Sequence, residues 1–447
     1  MNITQISHRL NFILFLVTLF LNLISTWDAK SWEGFSDVKD YLHHSSLSID
    51  KNEFYFAKPE PGYYPRPFTV PLFFKIAGSH GETIVQMQKL MHSLAAFVLV
   101  YAMLLLLKTG IARFFIMISI YFFMSWWNIL GWTTQLLSES LSMSFLFLWI
   151  GTFIIYFNKR TPFYLFIHCC VAILFSFTRD SWPYVLVLFY AIVFLVFVFR
   201  DKRFIKAASI LFFLSIIIFI VQGKSSEIGQ RTKLPLINTL ILRILPEKEN
   251  YNWFVVRGMP MAGFIKLRFT GLDLKKEPDR WKLWSTYRDP EYQPLRDWAS
   301  LKGKNLYVAF LLSHPKYTLL IDEPKDNLKR IFSVYPGYIT SINGYSCYSE
   351  KWFPFFSPLS LLIFILLLGW IFFKTQNVAI LFPVILSFLF LFHVFLIYNA
   401  DTCEVERHLF ITMIMVQFIS LIAISFILDE LIQKIKLTIN RSFSSST

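Results

Sequence analysis

The chain has 447 residues, of which 55% are hydrophobic and only 16% are charged. Soluble domains carry about 25% charged residues, so this composition argues against a cytosolic enzyme, a nucleic-acid-binding protein and a disordered scaffold. We predict an all-α polytopic membrane protein. The chain has 43 Lys and Arg against 29 Asp and Glu, which gives a net charge of +14. The positions of these charges along the chain then indicate the topology.

A transmembrane helix needs about 20 predominantly apolar residues. Runs of this kind predict ten helices, near 11–26, 90–107, 112–130, 136–157, 162–178, 182–199, 206–222, 354–373, 377–398 and 408–428. The first run resembles the core of a signal peptide, but no small-residue cleavage site follows it. We therefore interpret it as a retained first helix.

The distribution of basic residues predicts the orientation. With the N-terminus in the cytoplasm, the cytoplasmic segments carry 13 basic and three acidic residues, whereas the short outer loops carry only Arg179 and Arg407. The 13 are Arg9, Lys108, Arg113, Lys159, Arg160, Arg200, Lys202, Arg203, Lys206, Lys374, Lys434, Lys436 and Arg441. Every connection then obeys the positive-inside rule, and both termini are predicted to be cytoplasmic.

Three parts follow from this topology. Residues 1–222 form an N-terminal transmembrane module whose first outer loop is 27–89, residues 223–352 form an extracytoplasmic region, and residues 353–447 form the last helices and a cytoplasmic tail. The outer region carries 21 Lys and Arg against 13 Asp and Glu. It is large enough to be a small domain.

Two semi-apolar stretches of the outer region, 234–245 and 306–321, are interrupted by charged residues. We predict that they are helices lying on the membrane surface rather than transmembrane helices.

The four cysteines divide into two pairs. Cys169 and Cys170 fall in the fifth predicted span and are expected to be buried thiols. Cys347 and Cys403 are both predicted to lie outside, where the space is oxidising if it is a periplasm or lumen. A disulfide between them and two free thiols remain open alternatives.

Polar residues gather at the predicted outer ends of the spans. Glu139 is the one acidic residue inside a predicted span, one turn from its outer end. The other members of this outer set are Asp28, Asp37, Asp40, Arg179, Asp180, Asp401, Glu404, Glu406, Arg407 and His408. If the helix ends converge, these side chains form one polar cavity suited to general-base activation and phosphate binding.

Each group also has a structural alternative. Asp37 and Tyr41 are one helical turn apart and would share a face, but composition alone favours a solvated helix face for this spacing. Arg179 and Asp180 can cap two spans as a polar turn, and the segment 401–408 can be a solvated hairpin, although Arg407 and His408 at a helix N-terminus favour an anion site. No close-spaced metal-ligand motif occurs, so we expect no cofactor and leave a divalent ion open.

Five short segments resemble the GT-C class of integral membrane glycosyltransferases, which take sugars from polyprenyl-phosphate or dolichyl-phosphate carriers. They are Ser36-Asp37-Val38-Lys39-Asp40-Tyr41, Tyr64-Pro65-Arg66-Pro67-Phe68-Thr69-Val70-Pro71-Leu72, Leu137-Ser138-Glu139-Ser140-Leu141-Ser142, His314-Pro315-Lys316-Tyr317 and the run Asp401 to His408. Each motif is short, and their order along most of the chain carries the resemblance.

The resemblance implies a GT-C-like fold with an outer helical first loop, and an inverting transfer at the extracytoplasmic face. Asp37 matches the family's catalytic carboxylate, with Asp40 beside it. The implied contacts to the lipid phosphate of the donor are Arg66, Arg179, Arg407 and His408. The implied sugar or acceptor contacts are Tyr41, Glu139, Asp180, Asp401 and Glu404.

The implied partners are a polyprenyl-phosphate-linked sugar, a glycan acceptor and the bilayer. The large outer region has no Trp-Trp-Asp signature, which argues against whole-glycan transfer to protein and for transfer of a single sugar. We expect a surface polysaccharide, such as an O-antigen, or a wall polymer as the acceptor, and a bacterial inner membrane with the site facing the periplasm. The alternatives are a lipid-linked oligosaccharide flippase or other transporter, and a non-catalytic assembly subunit.

Overall fold

The computed structural model describes residues 3–24, 37–60, 63–200, 204–244, 246–261, 289–319, 321, 341–342, 345–346, 358–375, 378–400 and 405–444. These residues are helical apart from turns, the mostly irregular described part of 47–68 and one pair of two-residue strands. The predicted all-α class is therefore confirmed for the described part of the chain.

The N-terminal module contains both long apolar helices and the short helices of the first outer loop. Its helices are α1 (Ile3–Ile24), α2 (Asp37–Ser46), α3 (Thr69–Ile76), α4 (Gly81–Leu106), α5 (Gly110–Met124), α6 (Trp127–Leu130), α7 (Ser138–Lys159), α8 (Pro162–Ser176), α9 (Trp182–Arg200) and α10 (Ile205–Ile228). Local chemistry sets several ends: the Thr161 hydroxyl accepts the N–H of Tyr164 at the start of α8, and α7 ends where Arg160 adopts a left-handed φ of 57°.

The outer region and the C-terminal part follow. Their helices are α11 (Lys233–Thr239), α12 (Lys248–Val255), α13 (Gln293–Trp298), α14 (Lys304–Ser313), α15 (Pro315–Thr318), α16 (Pro358–Thr375), α17 (Leu381–Ala400) and α18 (Val405–Ser444). A π-helical turn, Leu240–Ile244, extends α11, and a second, Ala299–Gly303, joins α13 to α14. The strands β1 (Ser341–Ile342) and β2 (Tyr345–Ser346) pair antiparallel, with Ser341 opposite Ser346.

Seven of the described helices are long and apolar enough to cross a membrane. They are Gln5–Ile24, Gly81–Leu106, Ser138–Lys159, Trp182–Phe199, Ile205–Ile228, Leu381–Ala400 and His408–Asn440. The three remaining predicted spans coincide with shorter apolar helices, Gly110–Met124, Pro162–Ser176 and Leu362–Thr375. The protein is therefore a multi-pass membrane protein by the length and composition of its helices, and the count of ten spans stays a prediction.

Helix α7 lies at the centre of the bundle. Every residue from Ser138 to Ile155 is buried, and a helix that is apolar all round is expected to be surrounded by other helices. Its neighbour α4 begins at Gly81 rather than near residue 90, so Lys89 lies two turns inside a long apolar helix and is only 2% exposed. The sequence therefore placed the start of α4 too far along the chain, because the first turns of the helix contain polar residues and do not belong to the apolar run.

The predicted cytoplasmic loops meet at one end of the bundle. The carboxylate of Asp429 in α18 accepts the backbone N–H groups of Lys108 (3.1 and 3.2 Å) and Thr109 (2.7 Å), just before α5. The guanidinium of Arg160 lies 4.7 Å from the ring centre of Phe204. These contacts join segments that the charge distribution assigns to the same side. That this side faces the cytoplasm remains a prediction of the positive-inside rule.

Replacing Asp429 with alanine is expected to lower the free energy of unfolding by about 1–3 kcal/mol, because the N–H groups of Lys108 and Thr109 lose their acceptor. The measurement is thermal unfolding of the purified protein in detergent. The neighbouring Glu430 is the matched control, since no side-chain hydrogen bond of it is seen among the described residues. Equal unfolding temperatures for Asp429→Ala and Glu430→Ala would contradict this role.

The outer region has a core of its own. It is formed by Leu236, Ile237, Leu240, Ile241, Ile244, Phe254, Met259, Tyr292, Leu295, Trp298, Ala299, Tyr307 and Phe310. The predicted surface helix at 234–245 is therefore placed differently: its apolar residues face the interior of the outer region. By contrast, 306–321 buries one side only, since Leu312 and Ile321 are 80% and 64% exposed.

Candidate functional site

Arg66 joins the two acidic residues that begin α2. Its Nη2 lies 2.8 Å from Oδ1 of Asp37 and 2.6 Å from Oδ2 of Asp40. The two aspartates are three residues apart and therefore share one face of α2. Asp40 also accepts the backbone N–H of Tyr64 at 3.1 Å. Asp37 is the more accessible carboxylate, with its side chain 24% exposed against 11% for Asp40.

The pKa of Arg66 follows from these neighbours. Burial opposes its charge, but the carboxylate of Asp37, the hydroxyl of Tyr41 and the carboxylate of Asp40 outweigh that effect and raise the pKa of Arg66 above its ordinary value. Arg66 is thus a permanent cation beside both carboxylates.

Tyr41 connects this group to the bundle. Its ring lies 5.2 Å from the guanidinium carbon of Arg66, and the residue is only 4% exposed. Burial raises the pKa of the Tyr41 hydroxyl, Arg66 lowers it, and Glu139 and Asp37 raise it further. The pKa of Tyr41 is therefore influenced by charged residues of the first outer loop, Arg66 and Asp37, and by Glu139 in α7. Its burial favours a positioning role over the substrate contact expected from the sequence.

Glu139 forms a buried ion pair in the first turn of α7. Its Oε1 lies 3.2 Å from Nη2 of Arg179, and the side chains are 0% and 10% exposed, respectively. The N-terminal end of a helix favours a carboxylate at this position. The same Nη2 donates to Nδ1 of His408 at 2.6 Å. Since a guanidinium only donates, Nδ1 of His408 carries no proton in this arrangement.

Asp180 pairs with a third arginine, Arg231, which the sequence did not single out. Arg231 donates to Asp180 through Nε and Nη2 at 3.0–3.2 Å, and Gln222 in α10 donates to the same carboxylate at 2.7 Å. Arg231 is only 7% exposed. Burial lowers the pKa of His44 and raises the pKa of Tyr63 in the first outer loop; the charge of Arg231 adds to the first effect and opposes the second. In the sequence it is one of 21 basic residues of the outer region, with no local signal.

We call the set Asp37, Asp40, Tyr41, Arg66, Glu139, Arg179, Asp180, Arg231 and His408 the outer polar network. Seven of its nine members come from the residues singled out in the first outer loop, α7 and the loop between α8 and α9. The other two members are His408, which lies in α18, and Arg231, which lies in the outer region. Direct contacts join these residues in three groups, around Arg66, Arg179 and Arg231. That the three groups line one polar cavity stays a prediction.

Several buried polar atoms beside the network have no hydrogen-bond partner among the described residues. They are Nη1 of Arg179, Nε of Arg66, Nε1 of Trp182 and the hydroxyls of Ser140 and Ser142. Buried donors are normally satisfied by protein, water or a ligand. The site therefore retains capacity to donate hydrogen bonds to a polar or anionic group.

His44 holds the first outer loop in shape. Its Nε2 donates to the carbonyl of Phe54 at 2.8 Å, and its Nδ1 accepts the backbone N–H of Arg66 at 3.2 Å. The bond from Arg66 requires the neutral ring, because a protonated Nδ1 cannot accept, whereas Nε2 can donate in either protonation state. Burial lowers the pKa of His44 to about 4, only partly opposed by the bond to Phe54. Sequence reasoning missed this residue.

Lowering the pH from 6.5 to 4 is expected to destabilise the protein through His44. Its folded-state pKa of about 4 lies below the ordinary value of 6.5, so the unfolded state binds more protons in this window and stability falls as the pH falls. A shift of this size corresponds to about 3 kcal/mol. The measurement is the unfolding temperature of the purified protein against pH.

The controls are two glutamine variants. His44→Gln lacks the titrating ring and should lose less stability between pH 6.5 and 4 than the wild type. His80→Gln removes an exposed histidine just before α4 and should keep the wild-type slope. Parallel slopes for the wild type and His44→Gln would show that His44 does not titrate in this range.

Asp401, Glu404, Cys347 and Cys403 lie outside the described residues, and of Arg407 only its place in α18 is described. Cys169 and Cys170 are free thiols in α8 and are half-buried. Within the described part of the chain, no three His, Cys, Asp or Glu side chains come close enough together to hold a metal ion. The carboxylates of the network are paired with arginines instead.

Comparison with known proteins adds no family assignment, since no protein-family model and no curated protein matches the chain.

Proposed function

We propose that this protein is a GT-C-like membrane glycosyltransferase. It transfers a single sugar from a polyprenyl-phosphate carrier to an acceptor glycan, a surface polysaccharide or a cell-wall polymer, at the extracytoplasmic face of a bacterial inner membrane. Asp37 takes the proton of the acceptor hydroxyl, whose oxygen attacks the anomeric carbon. The bond between that carbon and the phosphate breaks, the configuration inverts, and polyprenyl phosphate leaves.

The observation that carries the proposal is the outer polar network. It gathers four carboxylates and three arginines at one end of an otherwise apolar bundle, with Tyr41 between the Asp37–Arg66 and Glu139–Arg179 pairs. Solvation of loops does not require a buried ion pair such as Glu139–Arg179, and a buried charge is costly unless it is paired. Transfer from a phosphate carrier needs a base for the acceptor hydroxyl and a cation for the leaving phosphate, and the carboxylates and arginines of the network can supply these two groups.

The arginines retain donors for that phosphate. An arginine has five N–H donors. Arg179 uses Nη2 for Glu139 and His408, while its Nη1 has no partner among the described residues. In Arg66, the donor without a partner among the described residues is Nε. These atoms can bind phosphate oxygens without breaking the ion pairs, and Arg407 and His408 remain the further candidates.

One observation favours the alternative of a transporter. Lys89 is buried within the membrane-spanning helix α4, and charged groups inside spans often mark transport pathways. The other ionisable groups of the described spans offer less support. His168 and His393, for example, bond to hydroxyl groups of Thr152 and Tyr190, and of Thr412 and Ser181. A glycosyltransferase therefore remains the stronger proposal.

The test is sugar transfer in isolated membranes. Membranes with and without the protein are supplied with polyprenyl phosphates that carry radiolabelled hexoses or pentoses, and the label in lipid and in polymer is measured. A transferase moves label to the polymer and releases polyprenyl phosphate, whereas a flippase moves the intact lipid across the bilayer. Unchanged polymer labelling for every donor, together with an unchanged surface glycan in cells lacking the protein, would refute the proposal.

A further inference from the structure

An exposed apolar stripe runs along the outer region. Leu301, Val308 and Leu312 are 78%, 49% and 80% exposed, and their spacing of seven and four residues puts them on one side of the helical segment that ends in α14. Leu319 and Ile321, which follow α15, are also exposed, at 51% and 64%. We call these five residues the α14 stripe. Such a face, uncovered by the described residues, is unusual for a surface that meets only water.

The opposite side of the same helix is packed. Tyr307 and Phe310 belong to the core of the outer region and are 7% and 0% exposed. Gly303 lies against Trp298, where a Cβ atom would come within 3.0 Å of the indole ring. Burial of this side fixes the rotation of the helix, so the stripe cannot turn inward.

Contacts from α14, α15 and the π-helical turn after α11 hold the outer region beside the outer end of the transmembrane helix α17. The hydroxyl of Tyr307 donates to the carbonyl of Asn399 at 2.7 Å, and the side-chain amide of Asn399 donates to the carbonyl of Thr318 at 3.0 Å. Arg243 lies over the ring of Tyr398 at 3.9 Å and donates to its carbonyl at 2.9 Å. Since Asn399 is the penultimate residue of α17, α14 is held at the level where that helix leaves the membrane.

The charges near the stripe suit a lipid surface. Lys302, Lys304 and Lys316 are exposed, and no acidic residue occurs between 299 and 321. An apolar face flanked by lysines is typical of helices that lie in the membrane interface, with the lysines near lipid phosphates.

We propose that the α14 stripe lies in the outer leaflet and that Lys302, Lys304 and Lys316 bind anionic phospholipid headgroups. The outer region then contacts the membrane through α14. Helix α11 does not contact the lipid, because its apolar residues are buried in the core of the outer region. This proposal does not depend on the glycosyltransferase assignment.

The test is photolabelling of the full-length protein in vesicles of phosphatidylcholine and phosphatidylglycerol. A trace of phospholipid with a diazirine group near the top of its acyl chain is included, and adducts are mapped by mass spectrometry. We expect adducts on peptides from 301–321 and on the membrane-spanning α10, but not on the polar surface segment 289–297. Adducts on α10 without adducts on 301–321 would overturn the proposal.

Two sets of variants separate the apolar and charged contributions. Leu301→Gln with Leu312→Gln should remove most adducts from 301–321 and leave those on α10 unchanged; both side chains are exposed, so folding is not at risk. Omitting phosphatidylglycerol should reduce labelling of the wild type but not of a variant with Lys302, Lys304 and Lys316 replaced by Gln. Cross-links between α14 helices of two copies, with no lipid adducts, would identify the stripe as a protein interface and refute lipid binding.

Discussion

Asp37→Asn is expected to abolish sugar transfer while leaving expression and membrane insertion intact. Asparagine has nearly the same shape and still accepts a hydrogen bond from Arg66, but it cannot take a proton from the acceptor hydroxyl. General-base catalysis typically contributes about 10²–10⁴-fold to a rate. The measurement is the initial rate of label transfer from the polyprenyl-phosphate donor in membranes that contain equal amounts of protein.

The matched control is Asp50→Asn, which neutralises an exposed aspartate of the same loop. It should keep the wild-type rate. The Asp37–Arg66 pair is partly exposed, at 24% and 23%, so its loss should cost at most about 1 kcal/mol of stability, and reduced folding cannot account for a large loss of rate. Full activity of Asp37→Asn would remove Asp37 from the mechanism.

Asp40→Asn distinguishes the two carboxylates of α2. Asp40 is less exposed than Asp37 and accepts from both Arg66 and the backbone of Tyr64. We therefore regard it as the residue that orients Arg66. A rate loss confined to Asp40→Asn, with Asp37→Asn active, would exchange the two roles.

Glu139→Ala is expected to lower the free energy of unfolding by about 3–5 kcal/mol, the usual cost of leaving one partner of a buried ion pair without its counter-charge. Glu139 is fully buried, and Arg179 would keep its charge at 10% exposure. The measurement is thermal unfolding in detergent, supported by the yield of folded protein. Activity is not a suitable readout here, because Arg179 is also a candidate phosphate contact.

The chain provides a matched control for this prediction. Lys224 and Glu227 form an ion pair at the same distance, 3.2 Å, but their side chains are 62% and 70% exposed. Glu227→Ala should change stability by at most about 0.5 kcal/mol, as is typical of exposed pairs within one helix. Similar losses for Glu139→Ala and Glu227→Ala would mean that water reaches the Glu139–Arg179 pair.

The helices were predictable because their signal is local. A span requires a continuous apolar run, and each of the ten predicted runs coincides with a helix of the structure. The ends were less accurate: α4 starts at Gly81, and α18 continues to Ser444 instead of ending near 428. Polar residues in the first or last turns still form helical hydrogen bonds, so hydropathy alone places the end of the apolar run rather than the end of the helix.

The network was predictable in its residue types but not in its pairs. Arg66 and Asp37 are 29 residues apart, Arg179 and Glu139 are 40 apart, and Arg179 and His408 are 229 apart. Sequence spacing carries no information about such pairs, because packing of the helices brings them together. Arg231 and His44 were missed for the same reason, since their importance lies in partners from other elements.

Composition and charge distribution by themselves therefore determined that this is a multi-pass helical membrane protein and which residue types gather at the predicted outer ends of its helices, since both properties depend on runs of neighbouring residues. The tertiary structure alone decided that Arg66 serves two aspartates, that Glu139 is neutralised by Arg179, that Arg231 joins the site, and that α11 is buried while α14 keeps an apolar face exposed. Those outcomes depend on which helix faces meet, and helix packing is a property of the whole fold.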